Sequence, residues 1–151
     1  MIEVLHTDSK NTDFQQLVHL LDQELAKIDG EEHAFYHQFN AIDHLKHVIV
    51  VYQNNIAISC GAIKALDNEA VEVKRMYTLQ QYRGKGIASQ VLLALENWAK
   101  KLNFQITRLE TGIRQPDAIR LYQKNGYQVI KNYGQYAGVE NSKCFEKSLT
   151  K

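Results

Sequence analysis

The sequence predicts a domain of the α/β (α+β) class with six to seven strands and about four helices, on three observations. A β-rich meander runs through residues 47–78. A strand then passes through a loop holding Gly84 and Gly86 into an amphipathic helix, and a second strand, helix and strand succession closes the chain. At 151 residues the length is that of one domain, enough to bury roughly 70% of the unfolded surface in a single core. No repeat or linker interrupts it, so residues 1–151 are read as one domain.

The elements follow in order. Ile2 to His6 alternates as a short strand. Phe14, Leu17, Val18, Leu21, Leu25 and Ile28 fall on one helical face, with Thr12 and Gln15 as a capping box and Gly30 as the stop. Residues 34–43, AFYHQFNAID, read as a short second helix. HVIVVY and IAISCGAIKA flank Asn54-Asn55, two residues that tolerate positive φ and so predict a hairpin. EAVEVKRMYT is a third strand of this meander after the turn LDNE. IASQVLLALENWAKKL is a helix with Ile87, Val91, Leu92, Leu95, Ala99 and Leu102 turned inward. QITRLETG is the next strand, and QPDAIRLYQKNG is a helix with Pro116 in its first turn and Gly126 at its end. YQVIKNY and SKCFEKSL are closing strands.

Composition narrows the function classes. Hydrophobic residues make up 44% and charged residues 23%, with one proline, which is ordinary globular usage. Met1 to Thr7 has neither a basic start nor a long apolar run, and no stretch approaches the roughly 20 apolar residues of a membrane span, so no membrane association and a cytoplasmic location are expected. Cys60 and Cys144 lie in strand-like runs and read as buried free thiols. The net charge of +1 hides a division: residues 1–73 carry −8 and residues 74–151 carry +9. The basic charges are scattered rather than blocked, which argues against nucleic acid and for a smaller anion. The acidic half suggests a second, cationic ligand. His33 and His37 stand four apart with His44 and His47 nearby, but no third ligand has fitting spacing, so no metal is assigned.

The loop between strand and helix is the chemical centre of the sequence. Unpaired N–H groups and the positive dipole end at a helix N-terminus bind anions, and glycines let backbone approach them. Lys85 stands between the glycines with no Gly-Lys-Ser/Thr after it, so this is not a Walker loop. Ser89 occupies the third glycine position of a dinucleotide loop, although Glu110 lies at the distance of a ribose-binding acid and keeps that reading open. What stands is Q-x-x-G-x-G over Gln81 to Gly86, with Arg83 inside it.

At these residues the sequence resembles the GNAT superfamily of acetyl-coenzyme A dependent N-acetyltransferases, over nearly the whole chain. RMYTLQQYRGKGIASQVLLALENWA is similar to that family's pyrophosphate-binding motif, and DAIRLYQKNGYQV to its later helix and strand motif. FYHQFN, LETGIRQP and NYGQYAGV are similar to a bacterial subgroup. Leu79-Gln80 stands where many members place a proline. The resemblance implies a mixed, mostly antiparallel sheet flanked by helices, acetyl-coenzyme A as cosubstrate, and direct transfer to a small-molecule or peptide amine in a ternary complex, by a monomer or a homodimer.

It also implies site roles. Cofactor contacts fall on Met76, Tyr77, Thr78, Gln81, Arg83, Gly84, Lys85, Gly86, Ile87, Ala88, Ser89 and Tyr122. The pantetheine arm would run beside the strand of Met76 and Thr78, with the Met76 N–H facing the thioester oxygen. Tyr122 would protonate the departing thiolate. Glu72, four residues before Met76 and expected on the same strand face, would take the amine's proton, since amines are largely protonated at neutral pH. Apart from the resemblance, the acidic charge of residues 1–73 and the segment EEHAFYHQFN, which offers aromatic, amide and acidic groups together, lead us to expect Phe35, Tyr36 and Asn40 on the acceptor side with Glu72, closed by Tyr133 and Tyr136. The blander readings are a solvated strand residue for Glu72, a core aromatic for Tyr122 and, for the whole chain, a coenzyme A binding module without turnover.

Overall fold

The computed structural model describes residues 1–29 and 44–150. The elements are β1 (Ile2–Thr7), α1 (Thr12–Asp29), β2 (His47–Gln53), β3 (Ile56–Ala65), β4 (Ala70–Thr78), α2 (Ile87–Lys101), β5 (Ile106–Gly112), α3 (Pro116–Lys124), β6 (Gln128–Ile130) and β7 (Ser142–Ser148). The helix expected over 34–43, and with it His33, Phe35, Tyr36, His37 and Asn40, lies outside the described residues, as does Gly30.

The seven strands among the described residues form one sheet in the order β1-β2-β3-β4-β5-β7-β6. Short turns keep the meander antiparallel. Asn54 and Asn55 take φ of 52° and 68° at the β2–β3 hairpin, and the Asp67 carboxylate accepts from the N–H groups of Glu69 and Ala70 to close the β3–β4 turn. The α2 crossover then delivers β5 parallel to β4, and β7 inserts antiparallel between β5 and β6.

The two faces of the sheet have separate cores. On one, Phe14, Leu17 and Val18 of α1 pack on Val48, Val50, Cys60 and Ala62. On the other, Val91, Leu92 and Leu95 of α2 and Tyr122 of α3 pack on Ile49, Ile63, Val71, Leu109 and Phe145. Gly61 lies under α2, where a Cβ would stand 2.6 Å from the Met76 sulfur and 2.9 Å from a Val91 methyl. Only glycine lets α2 come this close. Cys60 and Cys144 are buried free thiols.

Several local expectations shift. The cap of α1 is Asn11, whose Oδ1 accepts from the Phe14 N–H at 2.9 Å, while Gln15 reaches back to the Ser9 carbonyl instead of completing a capping box with Thr12. Leu102 is 38% exposed, because α2 ends before it and the chain turns away. The buried face of α2 includes Glu96 instead, which accepts from Tyr127 O–H and Lys147 Nζ at 3.0 and 2.8 Å. The strand expected over YQVIKNY shortens to Gln128–Ile130, as the Asn132 side chain donates to the carbonyls of Val139 and Ser142 and bends the chain into a loop.

Candidate active site

The parallel pairing that holds β4 to β5 lasts only three residues, from Ala70–Ile106 to Glu72–Arg108. Beyond it the strands part, so the β5-facing backbone edge of β4 after Glu72 has no ladder partner. A cleft fills the split, walled by residues 72–76 of β4, Glu110 to Gly112 of β5, Leu21 and Leu25 of α1, Ala118 and Tyr122 of α3, and Tyr136. Its lining draws on α1 from one face of the sheet and on α3 from the other.

The β4 wall carries a bulge. Its register with β3 jumps from Lys74–Ala62 to Tyr77–Cys60, leaving Arg75 and Met76 opposite the single Gly61. Arg75 takes φ of +59°, a conformation that costs a non-glycine residue roughly 1–2 kcal/mol. A tether to α1 offsets that cost: Arg75 Nη2 donates to Asp22 Oδ1 at 2.6 Å and to the Val18 carbonyl. The extra residue also reverses side-chain parity. Glu72 and Met76, expected on one face, lie on opposite ones: Glu72 pairs in register with Lys64 on the α1 side, and Met76 packs into the core beneath α2.

Gly84 and Gly86 take φ of 78° and 80°, and a Cβ on either would meet nothing within 4 Å. Gly86 stands before α2 with no side chain capping the helix, so Ile87, Ala88 and Ser89 present their N–H groups outward at its positive end. Gln81 is exposed in the short turn Gln80–Tyr82. The two cations of the loop differ. Lys85 lies over the Tyr82 ring, whereas Arg83 is turned back to the Thr78 carbonyl at 2.8 Å and the Glu24 carboxylate at 3.0 Å, over the Tyr77 ring. Tyr77 faces the α1 core, and the Thr78 hydroxyl bonds Ser59 at 2.8 Å on the opposite face.

Tyr122 is 6% exposed, edge-on to Tyr127 with ring centroids 5.9 Å apart. Burial first, then the Glu110 charge, holds its phenol well above the ordinary 10.0, so it stays protonated. Across the split, Glu72 is 3% exposed. Its Oε2 accepts from Tyr133 O–H at 2.6 Å and its Oε1 from Lys74 Nζ at 3.3 Å. Tyr133 and Tyr136 stack edge to face 5.7 Å apart, and burial together with the Glu72 charge raises both phenols. The loop after β6 thus closes over the α1 side of the split. Sequence reasoning missed three parts of this site: Lys74, the Arg75 bulge and the place of Glu110 in the wall. The one sequence signal was Lys74-Arg75, which breaks the alternation of Val71, Glu72 and Val73.

Comparison with known proteins agrees with this architecture. The N-acetyltransferase YsnE of Bacillus subtilis (strain 168), itself uncharacterized, is 35% identical over 92 residues, 60% of this chain and 61% of that protein. An IAA acetyltransferase of Azospirillum brasilense is 34% identical over 103 residues, 67% of each chain. The chain thus spans about three fifths and two thirds of these relatives. A crystal structure from Klebsiella pneumoniae, provisionally described as an acyl-CoA N-acyltransferase, superposes with a TM-score of 0.84 over 99% of both chains at 28% identity. PaiA N-acetyltransferase of Thermoplasma acidophilum, solved in complex with coenzyme A, shares the fold with a TM-score of 0.73 at 19% identity over 98% of this chain and 99% of that one. Residues 14–127, from the first turn of α1 into the later motif as far as Tyr127, match the model of the acetyltransferase (GNAT) family, and this chain belongs to that family.

Proposed function

We propose that this protein transfers an acetyl group from acetyl-coenzyme A to a primary amine by direct attack in a ternary complex. The observation that carries the reading is the split between β4 and β5, lined by α1 from one face of the sheet and α3 from the other, together with a helix N-terminus without a side-chain cap at the end of the loop that leaves β4. The N–H groups of Ile87, Ala88 and Ser89, with the backbone of Arg83 to Gly86, cradle the pyrophosphate; Lys85 adds charge and Gln81 lies at the rim. The pantetheine arm lies along the open edge of β4 from Met76 to Thr78. At the bulge, the Met76 N–H donates to the thioester oxygen and does so more strongly as that oxygen gains charge. Tyr122, protonated on the α2 and α3 side, delivers its proton to the departing sulfur.

The amine enters from the α1 side, where Glu72, Glu110, Tyr133 and Tyr136 stand and where Phe35, Tyr36 and Asn40 are placed on sequence grounds. Carboxylates there, and the −8 charge of residues 1–73, favour a cationic acceptor. The test is thiol release from acetyl-coenzyme A across a panel of primary amines, amino acids, peptides, alcohols and anions, beside calorimetric titration with coenzyme A. Release with at least one amine is expected. Binding without release on any acceptor would leave a coenzyme A binding module, and alcohols or anions outperforming every amine would overturn the choice of acceptor.

A further inference from the structure

Resting on the transferase reading, we infer that the acceptor amine carries an acidic group, a carboxylate or similar oxyanion, and that Arg75 Nε–H receives it at the α1 wall of the cleft. The starting point is an orphaned donor. Among the described residues, Arg75 Nε is the buried side-chain nitrogen or oxygen that has no hydrogen-bond partner. Leaving a buried donor unmet is costly, the more so on a charged group, so its place in the fold calls for an acceptor.

That place is the acceptor side of the split. The bulge turns the Arg75 side chain toward α1, where its Nη2 donates to Asp22 Oδ1 at 2.6 Å and to the Val18 carbonyl at 3.5 Å, while Met76 goes beneath α2. Leu21, Asp22 and Leu25 stand three, four and seven residues along α1 from Val18, so all four share one stripe of the helix. Leu21 and Leu25 of that stripe line the cleft, and Arg75 lines it with them. The guanidinium is therefore fastened to the helix face that walls the acceptor side, one residue before the Met76 N–H that serves the thioester oxygen.

The chemistry of the group selects what completes it. A guanidinium stays charged and only donates, so its partner is an acceptor, and an anionic one makes the stronger bond. Asp22 takes Nη2 through one oxygen and leaves Nε unmet. The Asp22 side chain is 27% exposed against 1% for Arg75, so water screens the carboxylate more than the guanidinium it faces, and positive potential is left toward the cleft. An oxyanion on Nε fills the half of the fork that Asp22 does not use. Because Arg75 is closed to bulk solvent, the acid group meets it from within the cleft, with the leucine side chains of that wall shifting to admit it. The ammonium end of the same molecule meets the carboxylates of Glu72 and Glu110, which line the cleft as well. The acceptor is thus a zwitterion, an amino acid or an amine of the same charge pattern.

The test begins with matched acceptors on the parent enzyme. Each amino acid that releases thiol from acetyl-coenzyme A is set beside its primary amide, in which a neutral carbonyl replaces the acid, and beside the amine that lacks the group. The acid should lead its amide by about 10–10²-fold in kcat/KM, the worth of one hydrogen bond to a charged group. Amides equal to or ahead of their acids, or amines that react while every amino acid fails, overturn the inference and leave the transferase reading intact. Arg75→Lys keeps the charge and removes Nε–H, so the acid-to-amide ratio should fall toward one. A merely structural role lowers both substrates together, and a parent-like ratio in the folded variant overturns the assignment. Melting temperature and coenzyme A affinity on the same preparation show that the variant is folded. If Arg75→Lys does not fold, Asp22→Asn removes the competing carboxylate and should lower the KM of the acid relative to its amide, and an unchanged or raised relative KM overturns it. A parent enzyme that releases no thiol with any amine overturns both readings.

Discussion

Tyr122 shows how burial makes a weak acid useful. A phenol held protonated by its surroundings is a ready donor to a leaving thiolate. Removing its oxygen leaves the ring packed on Tyr127 and Phe145, so Tyr122→Phe should lower kcat roughly 10–10³-fold, given that general acid catalysis is typically worth 10²–10⁴, while the coenzyme A dissociation constant stays near that of the parent. If Tyr122 is only packing, the pattern reverses: turnover stays put and the melting temperature falls. Measuring kcat, binding and melting on one preparation separates the two.

Among the elements, the α2 N-terminus and its contact with β3 each rest on one glycine. Gly86 is at φ of +80° with open space around its would-be Cβ, so two substitutions of matched shape separate strain from charge. Gly86→Asn carries the backbone strain of roughly 1–2 kcal/mol alone. Gly86→Asp adds a negative charge at the anion cradle and should weaken coenzyme A binding far more at equal melting temperature. Equal affinities by calorimetry would move the phosphate site elsewhere. Gly61 has no room beneath α2, so Gly61→Val should overpack that contact and lower stability by roughly 1–3 kcal/mol, read as the denaturation midpoint.

The whole molecule buries several phenols wholly or in part, two of which, Tyr122 and Tyr136, line its split. Tyr122, Tyr127, Tyr133 and Tyr136 all have pKa values raised above the ordinary 10.0, burial being the largest cause in each case. Above pH 10 the unfolded chain loses phenolic protons that the folded chain retains, so the unfolded state binds fewer protons and stability falls as pH rises. His47, in edge-to-face contact with Trp98, sets the opposite sign at the acid end. Desolvation, then Lys46, lowers its pKa below 6.5, so its contribution is present above that value and is lost as pH falls. Melting curves should therefore drop steeply beyond about pH 10, with the phenolate absorbance of these four rings appearing only as the chain unfolds. Phenolate absorbance of all eight tyrosines in the still-folded protein would show that these rings are reached by solvent.

What the sequence determined by itself depends on near neighbours. The 3.6-residue spacing from Phe14 to Leu21 and from Ile87 to Ala99 marks two helices, Asn54-Asn55 and Gly84-x-Gly86 mark the places that need positive φ, and Pro116 and Gly126 bracket α3, because periodicity, turn chemistry and capping act within a few residues. The start of α2 behind Gly86 was legible for the same reason. Tertiary structure decided the rest. The parting of β4 from β5 after Glu72 depends on how two strands joined by a helix twist against each other, and no residue inside either strand encodes it. The bulge at Arg75 is held by Asp22, 53 residues away, and it reverses the face of Met76 that a count of pleats along β4 assigned to Glu72. Tyr133 reaches Glu72 across 61 residues and occupies the carboxylate oxygen that the sequence left open for a proton. A pattern along the chain reports which face a side chain takes only while the pleat is regular, and it says nothing of which distant group meets that side chain there.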